Sequence, residues 1–391
     1  MNQEGIIEEY RQAIATYQGV SPEQVSLFWK GRVGLYALLE AWSVGPGDEV
    51  IIPAFTCVVV SNAILYRGAQ PVYADVDRRT FNILPESVEA KITDRTRLIM
   101  AQNTFGLPSD LNRLLKIARK HQILVLEDAT HGFGSEYNGQ LSGHLVTASF
   151  FSTQWNKPFS TGIGGFTITQ DRALAKTLRQ AEDRYPLAPK KTRRSLQWQF
   201  WARRNLLKPW VYWPVLSLYR YLSAAGLVTG SSAGEELRGI NQPMGYLQRL
   251  SPEQAQLGLR SLQTFSKIWQ RRQTVGQHYR TVLEELGKGR LTIPADRKHS
   301  FLKFPVLVKD RKVFMEAARR AKIPLGDWML SPIHPIEANW EEWGYQAGSC
   351  PNGEYLSKHV VNLLTEEPEP VVYRTITFLR QQKDQILPWE D

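Results

Sequence analysis

The chain has 391 residues, of which 42% are hydrophobic and 22% charged. That length exceeds one small core, and the balance is that of a folded globular protein rather than a disordered one. Two cysteines, Cys57 and Cys350, cannot build a disulfide framework or a four-thiolate metal site, and a net charge of +10 points to an anionic partner.

The first 28 residues read as helical and lack the basic-then-apolar layout of a secretory leader. No window holds the roughly 20 uninterrupted apolar residues of a spanning helix. A soluble cytoplasmic protein is therefore the expectation. Gly34–Trp42 repeats its apolar residues at helical spacing. Val50–Ile52 reads as a strand stopped by Pro53, Ser61–Gly68 as a short helix closed by glycine, and Pro71–Val76 and Leu98–Gln102 as strands. Leu111–Lys120 reads as a helix, and Gln122–Leu126 as an apolar strand ending in Glu127-Asp128. Ala148–Phe151 and Gly165–Thr169 are further short strands. Beyond them, Pro252–Leu286 is a long helical run, Phe304–Val308 a strand, and Lys312–Ala321 and Tyr355–Leu363 helices.

Strands alternating with helices describe an α/β fold: a mixed, mostly parallel sheet with helices on both faces. Residues 1–245 form the expected large domain, and 246–391 a smaller α+β C-terminal domain. Ligands of such sheets gather at the carboxyl ends of the strands, where Asp128 falls.

The charge is concentrated. Residues 184–234 hold nine Lys and Arg and no Asp or Glu, together with Trp198, Trp201, Trp210 and Trp213 and interleaved Phe200, Tyr212, Tyr219 and Tyr221. Such a stretch suits an anionic membrane surface, where aromatic rings sit at headgroup level. It also suits single-stranded nucleic acid, although no nucleic-acid-binding motif accompanies it. The plainest alternative is an inserted helical hairpin packed on the body or on a partner subunit, interrupted at Pro209 and Pro214.

Three local features bear on chemistry. Lys157 follows a short strand and precedes Gly162, Gly164 and Gly165. A lysine in a dry pocket loses proton affinity and condenses with aldehydes, while glycines let backbone pass close to a flat ligand. Asp128, at a strand end, could pair with a protonated ring nitrogen, with His131 facing the same ligand; otherwise it caps a turn. Gly31-Arg32-Val33-Gly34 opens a helix whose free N–H groups, with the Arg32 guanidinium, suit a phosphate. A flat aldehyde with a ring nitrogen and a phosphate is pyridoxal 5′-phosphate (PLP).

In this order and spacing the motifs resemble the DegT/StrS family of sugar-nucleotide aminotransferases, fold type I PLP enzymes. The resemblance runs over residues 28–180 and 240–380. GPGDEVIIPAFTCVVVSNAILYRGAQPVYADVD is similar to the family's strand–loop–helix segment, EDATH to its EDA-x-[QH] motif, and SFFSTQWNKPFSTGIGGF to its lysine segment. YLQRLSPEQAQLGLRSL, PIHP and CPNGEYLSKHVVNL resemble its later motifs. The resemblance implies a Schiff base on Lys157, a ring-nitrogen contact from Asp128 and His131 near the ring oxygen. It implies phosphate contacts from Ser152, Gly31 and Arg32, and a loop of Thr56 and Cys57 over the cofactor face. Arg249 would come from the opposite subunit of a homodimer, and His334 would lie near the substrate. The implied reaction moves an amino group, with glutamate as donor, to a keto-sugar nucleotide or related anionic keto compound. A branch of the family with histidine for the lysine dehydrates instead, so Lys157 favours transamination. The chain departs from the family's usual pattern at Cys57 (often aromatic), Arg32 (usually threonine), Leu247 (often asparagine) and the 184–234 insertion. These departures leave a second reading: a PLP-fold protein turned regulatory or membrane-peripheral scaffold, working through the insertion.

Overall fold

The computed structural model describes residues 3–206, 214, 234–237 and 239–389. Helix α1 (Gln3–Gln18) leads into strand β1 (Val25–Phe28), helix α2 (Gly31–Ala41), β2 (Glu49–Pro53), β3 (Thr56–Cys57), α3 (Val58–Leu65), β4 (Gln70–Ala74), α4 (Pro85–Glu89) and β5 (Thr96–Gln102). There follow α5 (Leu111–His121), β6 (Leu124–Asp128), the short hairpin β7 (Glu136–Tyr137) and β8 (Gln140–Leu141), then β9 (Ala148–Ser152), β10 (Gly165–Thr169), α6 (Arg172–Arg184) and α7 (Lys190–Leu206). Seven strands form one sheet in the order β1-β10-β9-β6-β5-β2-β4. β4, β2, β5, β6 and β9 run parallel, and β10 and β1 close one edge antiparallel. This is the mixed, mostly parallel α/β sheet that the alternation of strands and helices leads one to expect.

The central strands are buried on both faces, as a sheet covered by helices on each side requires: Val50, Ile51, Ile52, Leu98, Ile99, Met100 and Leu126 are all fully enclosed. α2 begins directly after β1 and buries nine of its eleven residues against the sheet. α5 is capped by Asp110, whose side chain accepts from the Arg113 N–H, and stops where Gln122 turns left-handed at φ 57°. That turn moves the start of β6 from Gln122 to Leu124 and carries the strand through Asp128.

After the insertion, helix α8 (Pro252–Glu285) starts on a capping box in which Ser251 and Gln254 satisfy each other's backbone donors. Its first half packs with α1: Ala255 and Phe265 join Tyr10, Ile14, Phe133 and Phe166. Its second half belongs to another core, with Val275, Tyr279 and Leu283 against Phe304, Val306 and Phe314. Strand β11 (Arg297–Lys298) pairs with β7, and β12 (Phe304–Leu307) is followed by α9 (Arg311–Arg320), β13 (Leu325–Gly326) and β14 (Ile333–His334). α10 (Pro351–His359) gives way to β15 (Val360–Leu363), and α11 (Glu369–Gln381) completes this second core, the small lobe, as distinct from the large lobe built on the seven-stranded sheet. The small sheet runs β12-β15-β13.

Two expectations fail here. Tyr355–Leu363 is not one helix: Val360–Leu363 is a strand lying between β12 and β13, because its apolar side chains gain more as the middle of a sheet than as a last helical turn. Residues 1–28 are not helical throughout: Val25–Phe28 is the edge strand paired with β10.

α7 is held by its inner face. Leu196 is fully buried beside Trp29 and Ile163, and the Arg193 guanidinium pairs with both Glu253 carboxylate oxygens at 2.8 and 2.9 Å. Its outer face carries Lys190, Lys191, Arg194, Gln197, Trp198 and Trp201, all exposed. The other members of the basic aromatic stretch, Lys208, Trp210, Tyr212, Trp213, Tyr219, Arg220 and Tyr221, lie outside the described residues.

Candidate active site

The carboxyl ends of β6 and β9 and the start of α2 meet at one place. β6 ends in two carboxylates that do different work. Glu127 accepts from Asn103 Nδ2 at 2.6 Å and from the Gly143 N–H at 2.7 Å, which ties β6 to the β8–β9 turn. Asp128 accepts from the Thr130 N–H at 3.0 Å. Burial pushes the Asp128 carboxyl up, and the Thr130 hydrogen bonds and the charge of Lys157 pull it back. His131, one turn on, accepts at Nδ1 from the Phe105 N–H at 3.2 Å. Burial and the neighbouring charges of Lys157 and Lys303 hold it well below its usual pKa. It is therefore a neutral imidazole with its proton on Nε2.

Lys157 sits on a loop clamped from within. Thr153 and Thr161 share a hydroxyl–hydroxyl bond at 2.7 Å, and Thr161 N–H donates to the Thr153 carbonyl at 2.8 Å. From outside, fully buried Arg272 of α8 donates to the Pro158 carbonyl at 3.0 Å and pairs with Glu366, and Ser261 Oγ donates to the Ser160 carbonyl at 2.7 Å. The Lys157 side chain is half-buried. Desolvation brings its pKa down to about 8 against the pull of Asp128 and Cys57, and Arg32 adds to the lowering.

The start of α2 is built by close backbone approach. A methyl on Gly31 would lie 2.9 Å from the Phe151 carbonyl oxygen and 3.0 Å from Ser152 Cβ, so no side chain fits and Ser152 stands beside the helix N-terminus. The Arg32 guanidinium pairs with Glu236 at 2.9 Å, and Lys30 approaches the same carboxylate at 3.6 Å. Glu236 is fully buried, and its carbonyl accepts from Asn62 Nδ2 at 2.8 Å. Burial and Arg32 bring the Lys30 ammonium down to about 8, against the pull of Glu236.

β3 and β14 form a two-stranded parallel ladder that sets Cys57 opposite His334. The Thr56 hydroxyl donates to Gln102 Oε1 at 2.7 Å, and His334 Nδ1 accepts from the Leu330 N–H at 3.1 Å. Burial pushes the Cys57 thiol up, and Lys157 and Arg32 both act on it. The Lys157 charge thus acts on Asp128, Cys57 and His131, and the Arg32 charge on Lys157 and Cys57. Arg249 stands apart: its backbone bridges Phe28 and Leu187, its N–H donates to the Pro186 carbonyl at 3.1 Å, and its buried Nε has no hydrogen-bond partner among the described residues.

Two residues of this region escape the sequence reading. Glu236 is among the first carboxylates after the acid-free stretch, a position that could have drawn notice. Trp328, from the loop after β13, lies nearly parallel to the His131 ring (centroids 4.9 Å apart, planes 16°) with the Lys157 Nζ 4.7 Å from its centroid. Nothing in its local sequence marks it.

Across this arrangement, residues 5–367 match the model of the DegT/DnrJ/EryC1/StrS aminotransferase family. The chain belongs to that family. Among relatives of this aminotransferase is the GDP-perosamine synthase of Caulobacter vibrioides, 40% identical over 173 residues; the match spans 44% of this chain and 46% of that enzyme. A UDP-2-acetamido-2-deoxy-3-oxo-D-glucuronate aminotransferase of Pseudomonas aeruginosa is 29% identical over 85% of this chain and 78% of its own length. Of solved structures, S. venezuelae DesV superposes with a TM-score of 0.75 at 22% identity, covering 97% of this chain and 90% of its own.

The family is PLP-dependent, and the donor set fits that group. It offers an amine of depressed proton affinity, a buried strand-end carboxylate and a neutral imidazole. It also has a helix start, closed to side chains at Gly31, with two cations beside it. Asp128, Lys157, His131, Ser152, Gly31 and Arg32 are the residues that could hold PLP.

Proposed function

We propose that this aminotransferase takes its amino group from glutamate and delivers it to the keto group of a sugar nucleotide or a related anionic keto compound. The observation that carries the reading is the half-buried Lys157 amine within electrostatic reach of Asp128, in a chain matched to the family along 5–367. The relatives named for nucleotide-linked sugars support the acceptor class. PLP, when bound, supplies an aldehyde for the amine and an electron-withdrawing ring.

In this reading Lys157 Nζ is the reacting amine and the proton carrier. A pKa of about 8 leaves about one molecule in ten uncharged at pH 7, against roughly one in three thousand for an ordinary lysine. Asp128 would keep a proton on the ring nitrogen of bound PLP, and the Nε2–H of neutral His131 would serve as a donor to its ring oxygen. The first N–H groups of α2 and the Ser152 hydroxyl hold the phosphate, with the Arg32 guanidinium, paired to Glu236, adding positive charge beside them. Thr56 and Cys57 cover one face, His334 meets the substrate, and Arg249 reaches the site of a second copy in a homodimer. The test is spectral. The purified enzyme absorbs at about 420 nm, and Lys157→Ala abolishes the band. Turnover then appears with glutamate and a keto-sugar nucleotide. A band that survives Lys157→Ala refutes the assignment.

The outer face of α7 favours a second reading, about where the enzyme works. Three basic residues and two tryptophans share that face with no acid, the composition of a helix lying on an anionic membrane. No described helix is long and apolar enough to cross one. In this reading the enzyme cosediments with phosphatidylserine vesicles, and the double variant Trp198→Ala/Trp201→Ala does not. Equal recovery of both proteins would sink it.

A further inference from the structure

Cys57, within reach of the Lys157 charge, offers no aromatic ring. The structure brings an aromatic ring to the same region from the small lobe. The Trp328 N–H donates to Oδ1 of fully buried Asn362 at 2.9 Å, which fixes the loop after β13 to the middle strand of the small sheet. From there the indole reaches the large lobe. It lies nearly parallel to His131 at 4.9 Å, and His131 in turn to Phe105 at 6.5 Å. Lys157 Nζ sits 4.7 Å from the indole centroid, and Lys303 Nζ 5.5 Å. An indole face attracts an ammonium through its quadrupole, more strongly where water is thin.

We propose that Trp328 is the positioning residue of the catalytic lysine: the small lobe lays an indole against His131 and Lys157, holding the ammonium of Lys157 in place. The inference rests on Lys157 being the reacting amine. Its physical content is a balance of named groups. Asp128 and Cys57 favour the charged amine, Arg32 and lost hydration oppose it, and His131 is neutral. The Trp328 ring works with Asp128, and it does so from the lobe that carries none of the other members of that list.

The test uses the full chain freed of cofactor, with trace labelling of lysines by acetic anhydride across pH 6–10 and Lys157 read by mass spectrometry. The wild-type midpoint falls at about 8. Trp328→Leu lowers it by about one pH unit, a tenfold loss of proton affinity, and Trp328→Phe by less than half as much. Equal shifts in the two variants, no shift in Trp328→Leu, or an upward shift from entering water would each overturn the proposal. Should Trp328→Leu fail to fold, Trp328→Met removes the ring while keeping a long apolar side chain, and is held to the same result. Because the labelling needs no cofactor, its failure is separate from a failure of the Lys157 assignment, which is read from the visible band.

Discussion

Gly165→Ala tests how the cradle at the start of α2 is made. Gly165 opens β10 opposite Ser152 and lies against the first turn of α2. A methyl there would stand 2.6 Å from the Phe151 carbonyl oxygen and closer still to the Gly31 nitrogen and Cα. All three are backbone atoms, so no rotamer change relieves the clash. Ordinary contact begins at 3.4 Å, so β10 and the N-terminus of α2 must separate by about 1 Å. Overpacking of this kind costs about 1–3 kcal/mol. A displacement of about 1 Å at a binding group is also enough for a loss of about 100-fold in rate. The expected outcome is a lower urea midpoint, weaker PLP binding by fluorescence titration and a kcat down by about two orders of magnitude. Gly5→Ala in α1, where the added methyl meets nothing within 4 Å, serves as the control and should be silent. If Gly165→Ala binds PLP with wild-type affinity and stability, the start of α2 is not held against β10 by that contact.

Glu236→Gln should destabilise the fold by about 3 kcal/mol or more, because it leaves the buried Arg32 and the neighbouring Lys30 without their carboxylate; the urea midpoint measures it. His299 governs part of the acid response. Its ring is buried, accepts from the Phe301 N–H at 2.8 Å and has its pKa lowered to about 3 by burial. The folded value lies below the unfolded one, so its contribution is present above pH 6.5 and is lost as pH falls from there toward 3. The slope is about 1.4 kcal/mol per unit. His299→Gln should therefore flatten the loss of stability between pH 6 and 4, measured as urea midpoints at each pH. An unchanged slope would place the acid sensitivity elsewhere.

The large sheet was legible because its strands announce themselves: Val50–Ile52, Leu98–Gln102 and Gly165–Thr169 are short apolar runs bounded by turn residues. Asp128 was legible for the same reason, as the polar end of an apolar run. Val360–Leu363 was not. No breaker separates it from α10, and only the partners on its two sides, β12 and β13, make it a strand. The site divides along the same line. Lys157, Asp128, His131 and Gly31 fall in local motifs, and the structure brings Asp128, His131, Cys57 and Arg32 within electrostatic reach of Lys157. Glu236 and Trp328 owe their roles to where distant segments land. Arg32 shows the limit most sharply, since a guanidinium at a helix start reads as an anion site, and the anion it holds here belongs to the chain itself.

α8 spans 34 residues, roughly 50 Å, and gives one end to each lobe's apolar interior. A cut anywhere inside it would leave two fragments, each with a raw greasy edge. Either lobe taken alone loses half of that helix's packing, so a hybrid that exchanges one lobe with a relative must carry the whole rod across.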